Sequence, residues 1–394
     1  MAQREVVVLS GVRTAIGDYG GSLKDIAPTA LGATVVREAV TRANIDAAAV
    51  GHVVFGSVIH GEARDMYLSR VAAIDGGLAH GTPCLTVNRL CGSGLQAIVS
   101  ASQHILLGDC DITLAGGAES MSRAAYIMPA ARWGQRMGDI GVGDAMTGAL
   151  HDPFGHGHMG ITAENIAARY GISREEQDAF ALESHQRAEK ALDAGHFKSQ
   201  IAGIELKSRK GTVMFDTDEH VRRGMKPEDL QKLRAAFKKD GTVTAGNASG
   251  LNDAAAAVVL ADRAAAQKLG LKPLARLVAY AHAGVDPQLM GLGPIPAVRR
   301  VFEKSGLKPT DMDVVESNEA FAVQAMAVTR DLGLDPAKVN PNGGAVALGH
   351  PIGATGAILT VKAVYELQRT QKRYALVTMC IGGGQGIAAI FERM

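Results

Sequence analysis

The stretch CLTVNRLCGSGLQAIVSASQHILLG, residues 84–108, contains the pattern that decides the fold. Its first seven residues predict a buried strand, and apolar residues at helical spacing over 92–107 predict a helix that Gly108 ends. Outward from it, strands are predicted at 6–12, 52–58, 111–117, 254–261 and 276–284, and helices at 28–42 and 355–370. This alternation predicts an α/β protein with a largely parallel sheet.

Composition excludes several classes of protein. The 47 glycines among 394 residues lack a collagen period, and the 47% hydrophobic content with a net charge of +1 excludes a disordered chain. Near-neutrality argues against nucleic acid or an anionic membrane as partner. The longest uncharged stretch, 339–361, is too polar to span a bilayer, and the N-terminal apolar run is too short for a signal peptide. The four cysteines form no CxxC pair, which suits the reducing cytoplasm.

The middle third of the chain has a different texture. Residues 121–245 lack long apolar strands and predict an insertion on the core. Within it, a solvent-facing helix is predicted after the capping-box pair Ser173 and Glu176, ending at Gly195. Basic clusters follow at 207–210, 222–226 and 232–239, each of which could equally be a solvated face.

Cys91 lies where the strand of 84–90 meets the following helix. A helix N-terminus offers free N–H groups and partial positive charge, which favour a thiolate nucleophile. The alternative is an inert cysteine in the core. The strand context keeps both interpretations open.

Cys380 also ends an apolar strand and is followed by three consecutive glycines, Gly382 to Gly384. Bare backbone at this place could meet a ligand and supply an oxyanion hole, whereas the alternative is a flexible hairpin turn. The pattern echoes Cys91-Gly-Ser-Gly, and two similar halves packed together would bring both cysteines to one site.

Two further side chains are candidates for chemistry. His350 lies in NPNGGAVALGHPIGATGA (340–357), a glycine-rich loop that makes it a candidate acid/base, or else a surface histidine. Asn318 stands at a strand-to-helix boundary, where its amide could bind an oxyanion or simply cap the helix.

His151, His156 and His158 with Asp152 form a small cluster in a loop. Nothing else in the sequence supplies the rest of a ligand set, and H-x-H spacing is common in loops. We therefore expect no metal site. No P-loop and no strand–GxGxxG–helix fingerprint occurs either.

Together these motifs resemble the thiolase family. The matching segments run in order through essentially the whole chain: VNRLCGSGLQAI (87–98), GGAESMS (116–122), HMGITAEN (158–165), GTVTAGNASGLNDAAAA (241–257), SNEAFA (317–322), residues 340–357 and CIGGGQGIA (380–388). Within the family, 64–73 and 151–160 are most similar to the broad-specificity β-ketothiolases of polyhydroxyalkanoate-producing bacteria.

The resemblance implies a thiolase fold with two βαβαβαββ core halves related by a pseudo-two-fold axis, in five layers, α-β-α-β-α. The N-terminal half would span 1–120 and be completed by about 246–270. An inserted loop domain, 121–245, would bind coenzyme A and make tetramer contacts, and the C-terminal half would span 271–394. A homotetramer built as a dimer of dimers is implied.

The resemblance also implies a mechanism. Cys91 takes the acyl group as a thioester, His350 activates it, and Cys380 removes the α-proton of a second acetyl-CoA. The enolate then attacks the acyl-Cys91 thioester in a reversible Claisen condensation. One oxyanion hole is implied for His350 and a water held by Asn318, and another for the backbone N–H groups of Cys91 and Gly382.

Coenzyme A and its acyl esters are implied as substrates, with no permanently bound cofactor. The resemblance implies that Ser249 contacts the pantetheine and Arg222 lies near the nucleotide, while the tunnel is lined by His158, Met159, Met290 and Phe321. The segment 65–73 and Leu292 depart from the common family pattern, which points to a changed acyl pocket. Residues 224–233 also depart from it, which leaves the contact at Arg222 open.

Other functions remain open at this stage. A degradative 3-ketoacyl-CoA thiolase would use the same residues. A ketoacyl-synthase-like enzyme resembles a Cys-His-His or Cys-His-Asn set, against which Cys380 discriminates. A non-catalytic carrier of acyl-CoA or lipid would be expected to lack Cys91, His350 or Cys380, and all three are present.

Overall fold

Strands and helices alternate along most of the chain, which the computed structural model describes over residues 4–209 and 211–394. Lys210, the last residue of the predicted basic cluster 207–210, therefore lies outside the described residues. Met1 to Gln3 also lie outside them. The strands are β1 (Val6–Arg13), β2 (Gly17–Asp18), β3 (His52–Gly56), β4 (Cys84–Val87), β5 (Ile112–Ser120), β6 (Tyr126–Ile127), β7 (Gly143–Asp144), β8 (Ile204–Ser208), β9 (Gly211–Phe215), β10 (Asn252–Asp262), β11 (Ala275–Gly284), β12 (Val314–Ser317), β13 (Tyr374–Ile381) and β14 (Gln385–Arg393).

Along the chain, most of the α-helices connect strands of the large sheet. They are α1 (Pro28–Ala43), α2 (Leu68–Asp75), α3 (Ser93–Leu107), α4 (Ala145–Ala149), α5 (Met159–Tyr170), α6 (Arg174–Asp193), α7 (Pro227–Gln231), α8 (Arg263–Lys268), α9 (Pro294–Ser305), α10 (Ala322–Asp331), α11 (Ala345–Leu348) and α12 (Thr355–Thr370). Within the described ranges, none of them combines the length and apolar composition needed to cross a bilayer.

The large sheet has two halves with the same strand order. The order β12-β13-β14-β11-β1-β10-β5-β3-β4 joins them where β1 pairs with β11. When the strands of each half are numbered in sequence order, both halves place them side by side as third, second, fourth, fifth and first. The parallel and antiparallel pairs of the two halves also match. In the C-terminal half the third strand is reduced to a single parallel bridge between Val315 and Val339. The βαβαβαββ arrangement of both halves is thus confirmed.

The layers follow from the period-2 alternation of side chains along the buried strands. In β10, Ala256 and Val258 face a central core, and Ala257 and Val259 face an outer one. The central core also contains α3 and α12, which lie between the two sheet halves. Helices α1 and α2 cover one outer face, and α9 covers the other. The predicted five-layer α-β-α-β-α fold is therefore confirmed.

The first turns of α3 and α12 meet in the central layer. A Cβ at Gly94 would lie 2.7 Å from the backbone N of Ala357, and one at Gly356 would lie 2.2 Å from that of Leu95. Only residues without a side chain allow helix ends to approach this closely. The close approach brings the loops that precede both helices together.

The echo between the two cysteine motifs does not follow the symmetry of the fold. Cys91 precedes α3, and its position in the other half is the loop before α12, which carries His350. Cys380 instead ends β13, whose counterpart is β5. The two cysteines do come to one site, as expected. The similarity of their motifs is not the reason, because Cys91 and Cys380 lie on elements that are not equivalent in the two halves.

Residues 121–251 connect β5 to β10 and contain the hairpins β6–β7 and β8–β9 as well as α4 to α7. Helix α6 begins at the predicted capping box, with Ser173 and Glu176 bonded reciprocally. The helix is not simply solvent-facing, since Ala181, His185 and Ala188 are buried along one side. That the segment forms a distinct domain with its own ligand stays a prediction.

A buried ion pair ties this segment to the core. Two nitrogens of Arg13 donate to Asp218 at 2.7 and 2.8 Å, and both side chains are fully buried. Asp218 also accepts the backbone N–H of Ile16 at 2.9 Å. The arrangement joins the end of β1 to the chain beyond β9.

We expect Asp218→Ala to lower the free energy of unfolding by about 3–5 kcal/mol, because Arg13 would be left as an unpaired buried charge. The exposed pair Arg223–Asp193 supplies the control, and Asp193→Ala should leave the unfolding midpoint almost unchanged, because water screens an exposed ion pair. Urea titration followed by circular dichroism measures both. Equal shifts of the two midpoints would contradict the assignment.

Candidate active site

Cys91 is held by a strained turn between β4 and α3. Leu90, directly before it, has φ +45°, a left-handed conformation that costs a leucine about 1–3 kcal/mol. The turn is fixed by Ser93, whose hydroxyl accepts from Arg89 N at 2.8 Å and donates to Leu90 O at 2.7 Å. The strain is consistent with a side chain that must point out of the turn toward a partner.

The Cys91 thiol is neutral at rest. Burial raises its pKa to about 11, although the backbone N–H groups of Gly382 and of Cys91 itself bond to the sulfur and act in the opposite direction. The sequence suggested that the helix N-terminus favours a thiolate at Cys91. In the structure, the helix N-terminus alone does not yield one. A base must remove the proton when a substrate arrives.

His350 is placed to be that base. It is 5% exposed, and burial lowers its pKa to about 4, so the imidazole is neutral. Its Nδ1 lies 2.7 Å from the Thr355 hydroxyl, which itself donates to Pro351 O at 2.9 Å. Because that hydroxyl proton is engaged, Nδ1 carries the ring hydrogen, and Nε2 is unprotonated with a lone pair that can accept a proton. The surface-histidine interpretation is excluded.

Asn318 lies beside the imidazole. Its Nδ2 is 3.4 Å from His350 Nε2, and its buried Oδ1 accepts no hydrogen bond from the described protein atoms. The residue does not cap a helix, since the N-cap of α10 is Phe321. The amide oxygen is therefore free for a role in the site.

Cys380 and Gly382 complete the group at the end of β13. Cys380 is fully buried, and both burial and the proximity of Cys91 raise the pKa of its thiol well above the ordinary value. Gly382 presents its N–H to the Cys91 sulfur. Gly382 to Gly384 form the three-residue turn of the hairpin between β13 and β14.

A cavity of about 370 Å³ opens onto these residues. Of the residues predicted from the sequence, eight line it, namely Cys91, His158, Met159, Ser249, Met290, Phe321, His350 and Gly382. Cys380 and Asn318 are buried next to wall residues without lining the cavity. His158 caps α5 by accepting from Gly160 N, and its ring stacks on Phe237 with centroids 4.6 Å apart.

Several wall residues were not predicted. These are Leu90, Met121, Ala149, Leu150, Ala236, Phe237, Ala245, Ala248, Gly250, Leu251, Ala320 and Ile352. Phe237 lies inside the basic cluster 232–239, so that segment is more than a solvated face. By contrast, neither Leu292 nor the segment 65–73 is part of the wall, and Met66 and Tyr67 are exposed. The expected link from these departures to the acyl pocket is therefore not supported.

Arg222 is not brought to the cavity. Its side chain is exposed, and its backbone N donates to His185 Nδ1 at 3.2 Å. Over residues 4–209 and 211–394, no three His, Cys, Asp or Glu side chains are arranged to hold a metal ion. In the loop cluster, His151 Nδ1 is instead engaged with Thr147 O at 2.8 Å.

Glu119 is a buried carboxyl group that sequence reasoning missed. It accepts the backbone N–H groups of Val58 and Ile59 at 3.1 Å and of Gly353 at 2.8 Å, while burial raises its pKa to about 8. It thus ties the His350 loop to the N-terminal half. The only available signal was its place in GGAESMS (116–122).

Comparison with known proteins yields consistent matches. Family models described as "Thiolase, N-terminal domain" and "Thiolase, C-terminal domain" match residues 6–264 and 271–393. The chain is 68% identical to the β-ketothiolase BktB of Cupriavidus necator over 99% of this chain and all of the relative. It superposes on the acetyl-CoA acetyltransferase of Bacillus anthracis (TM-score 0.98, 44% identity) and on human mitochondrial 3-ketoacyl-CoA thiolase (0.98, 45%), with complete coverage of both chains in each pair.

We expect Thr355→Val to slow alkylation of Cys91 by iodoacetamide by about 5- to 150-fold, since losing one buried hydrogen-bond partner costs about 1–3 kcal/mol. Without the hydroxyl, the imidazole loses the tautomer that leaves Nε2 free. Thr360→Val, a buried hydroxyl deletion in the same helix, is the matched control. Mass spectrometry of the Cys91 peptide gives the rates, and equal rates in both variants would refute the assignment.

Proposed function

We propose, on the premise that this chain belongs to the thiolase family, that Cys91, His350, Cys380, Asn318 and Gly382 form its catalytic site. The enzyme is a β-ketothiolase of the acetyl-CoA acetyltransferase type, an acyltransferase for the reversible Claisen condensation of acyl-CoA with acetyl-CoA. The observation that supports the site best is the direct contact of His350 Nε2 with Asn318 next to a cavity lined by Cys91.

Acylation begins with a proton transfer. His350 Nε2 takes the Cys91 proton, and the thiolate attacks the acyl-CoA carbonyl. The oxyanion that forms meets the N–H groups of Cys91 and Gly382, which already point at the sulfur. When the tetrahedral species collapses, the CoA thiolate leaves and takes a proton from Cys380, while His350 stays protonated.

Condensation uses the thiolate left on Cys380. Its raised pKa makes it a strong base, suited to the weakly acidic α-carbon of acetyl-CoA. The enolate oxygen is stabilised by the protonated Nε2 of His350 and a water held by the free Oδ1 of Asn318. The enolate attacks the acyl thioester, the Cys91 sulfur leaves, and His350 returns its proton.

Coenzyme A would enter along the 370 Å³ cavity. Met159, Met290 and Phe321 give it apolar walls suited to pantetheine, with His158 and Ser249 as polar contacts. The phosphates would meet the exposed lysines and arginine that flank Phe237 in 232–239, with Arg222 as a more distant contact. The steps above require no resident cofactor.

The degradative alternative uses the same residues and differs in chain length. Rates of thiolysis on 3-ketoacyl-CoA substrates of four to ten carbons separate it from a short-chain biosynthetic enzyme. A carrier would bind these esters without cleaving them when free CoA is present.

We also propose a homotetramer in the cytoplasm. Residues 126–142 expose seven apolar side chains, among them Trp133 at 89% and Met137 at 88%, and all four cysteines are unbridged. We expect Trp133→Glu to weaken the tetramer, which sedimentation velocity measures. An unchanged tetramer would show that the surface around Trp133 does not hold the subunits together. A protein found outside the cytoplasm on cell fractionation would overturn the proposed location.

We expect the two cysteines to separate the half-reactions. Cys91→Ala should form no acyl-enzyme. Cys380→Ala should still acylate, because the departing CoA thiolate can take its proton from solvent in place of Cys380, but it should lose enolate formation. Mass spectrometry detects the acyl-enzyme, and deuterium exchange at the α-carbon of acetyl-CoA detects the enolate. Normal exchange in Cys380→Ala, or an undiminished acyl burst in Cys91→Ala, would overturn the assignment.

A further inference from the structure

Asn252, at the start of β10, contacts the backbone of His350 and has no part in the steps above. Its Oδ1 accepts the N–H of His350 at 2.9 Å, and the side chain is fully buried. Its Nδ2 donates to Gly17 O at 3.1 Å and to Asp18 Oδ1 at 3.3 Å. One amide therefore links the N-terminal half to the residue that acts as base.

The orientation of this amide is fixed by its partners. The backbone N–H of His350 can only donate and the carbonyl of Gly17 can only accept, so the amide cannot be flipped. Gly349 makes room for it, since a Cβ there would lie 2.4–2.6 Å from the amide atoms of Asn252. Gly349 also has φ +104°, which other residues rarely adopt.

The far side of the amide is anchored as well. Asp18 pairs with His220 Nδ1, and the His220 ring packs against Gly250, which lines the cavity beside Ser249. This interaction lowers the pKa of the Asp18 carboxyl, which keeps it ionised as an acceptor for Asn252. The hydrogen bonds thus run from His220 through Asp18 and Asn252 to the His350 backbone.

We propose that Asn252 is a positioning residue that sets the place of the His350 imidazole relative to Cys91. The proposal rests on the function proposed above. A displacement of about 1 Å in a catalytic group costs about 100-fold in rate. The loop that carries His350 has glycines at 349 and 353, so its place depends on side-chain hydrogen bonds such as those of Asn252 and Glu119.

Two variants test the proposal. Asn252→Ala removes all three bonds. Asn252→Asp keeps the shape but turns a second oxygen toward Gly17 O and Asp18. We expect both to lower kcat by about 10- to 100-fold, with KM for acetoacetyl-CoA within about twofold, and to slow Cys91 alkylation by a similar factor. Asn342→Ala is the control. Asn342 is a buried asparagine that precedes α11 in the same segment, 340–357, and it bonds His196 and Glu366 and not His350.

Thermal unfolding of all variants separates positioning from stability. The proposal predicts comparable losses of Tm in Asn252→Ala and Asn342→Ala, with slow Cys91 alkylation only at position 252. Equal alkylation rates in these two variants, or wild-type kcat in Asn252→Asp, would overturn it. Alkylation of Cys91 by iodoacetamide does not depend on the assigned reaction. If the proposed function failed, Cys91 of the wild-type protein would still be alkylated normally, but the protein would cleave no 3-ketoacyl-CoA.

Discussion

The contact between the first turns of α3 and α12 is the constraint on which the site depends. Gly94 and Gly356 let the two helix ends touch through their backbones. Since one helix follows the Cys91 loop and the other follows the His350 loop, this single contact brings nucleophile and base together from separate halves. The strained Leu90 and the Gly349 conformation are local features of the two loops that meet there.

Burial at this contact sets the protonation states. The thiols of Cys91 and Cys380 have raised pKa values and the His350 imidazole a lowered one, because a low-dielectric site penalises every charged form. A resting site of neutral groups gains charge only when substrate is present. The N–H groups of Cys91 and Gly382 then act in a site of low dielectric, where a hydrogen bond to an oxyanion is stronger than in bulk water.

Much of the fold and of the site could be predicted from the sequence, because strand ends and glycine runs mark where chemistry-bearing residues leave regular structure. Cys91, His350 and Gly382 all line one cavity, with Cys380 buried beside them. The pairing of equivalent loops could not be predicted, since it depends on strand order. Asn252 and Glu119 were missed because a side chain that accepts a backbone N–H from a distant part of the chain has no sequence pattern. Phe237 was hidden in a basic segment.

Cys91 and His350 rest as a neutral pair that the two halves hold together. The ultraviolet absorbance of the Cys91 thiolate, taken as the difference between the substrate-free enzyme and Cys91→Ala, tests this resting state most directly. With the thiol pKa raised to about 11 and that of the imidazole lowered to about 4, the thiolate absorbance should be absent between about pH 6 and 9 and appear only at higher pH. A thiolate absorbance that is already present and constant over this range would show a thiolate–imidazolium pair at rest and contradict a neutral resting pair.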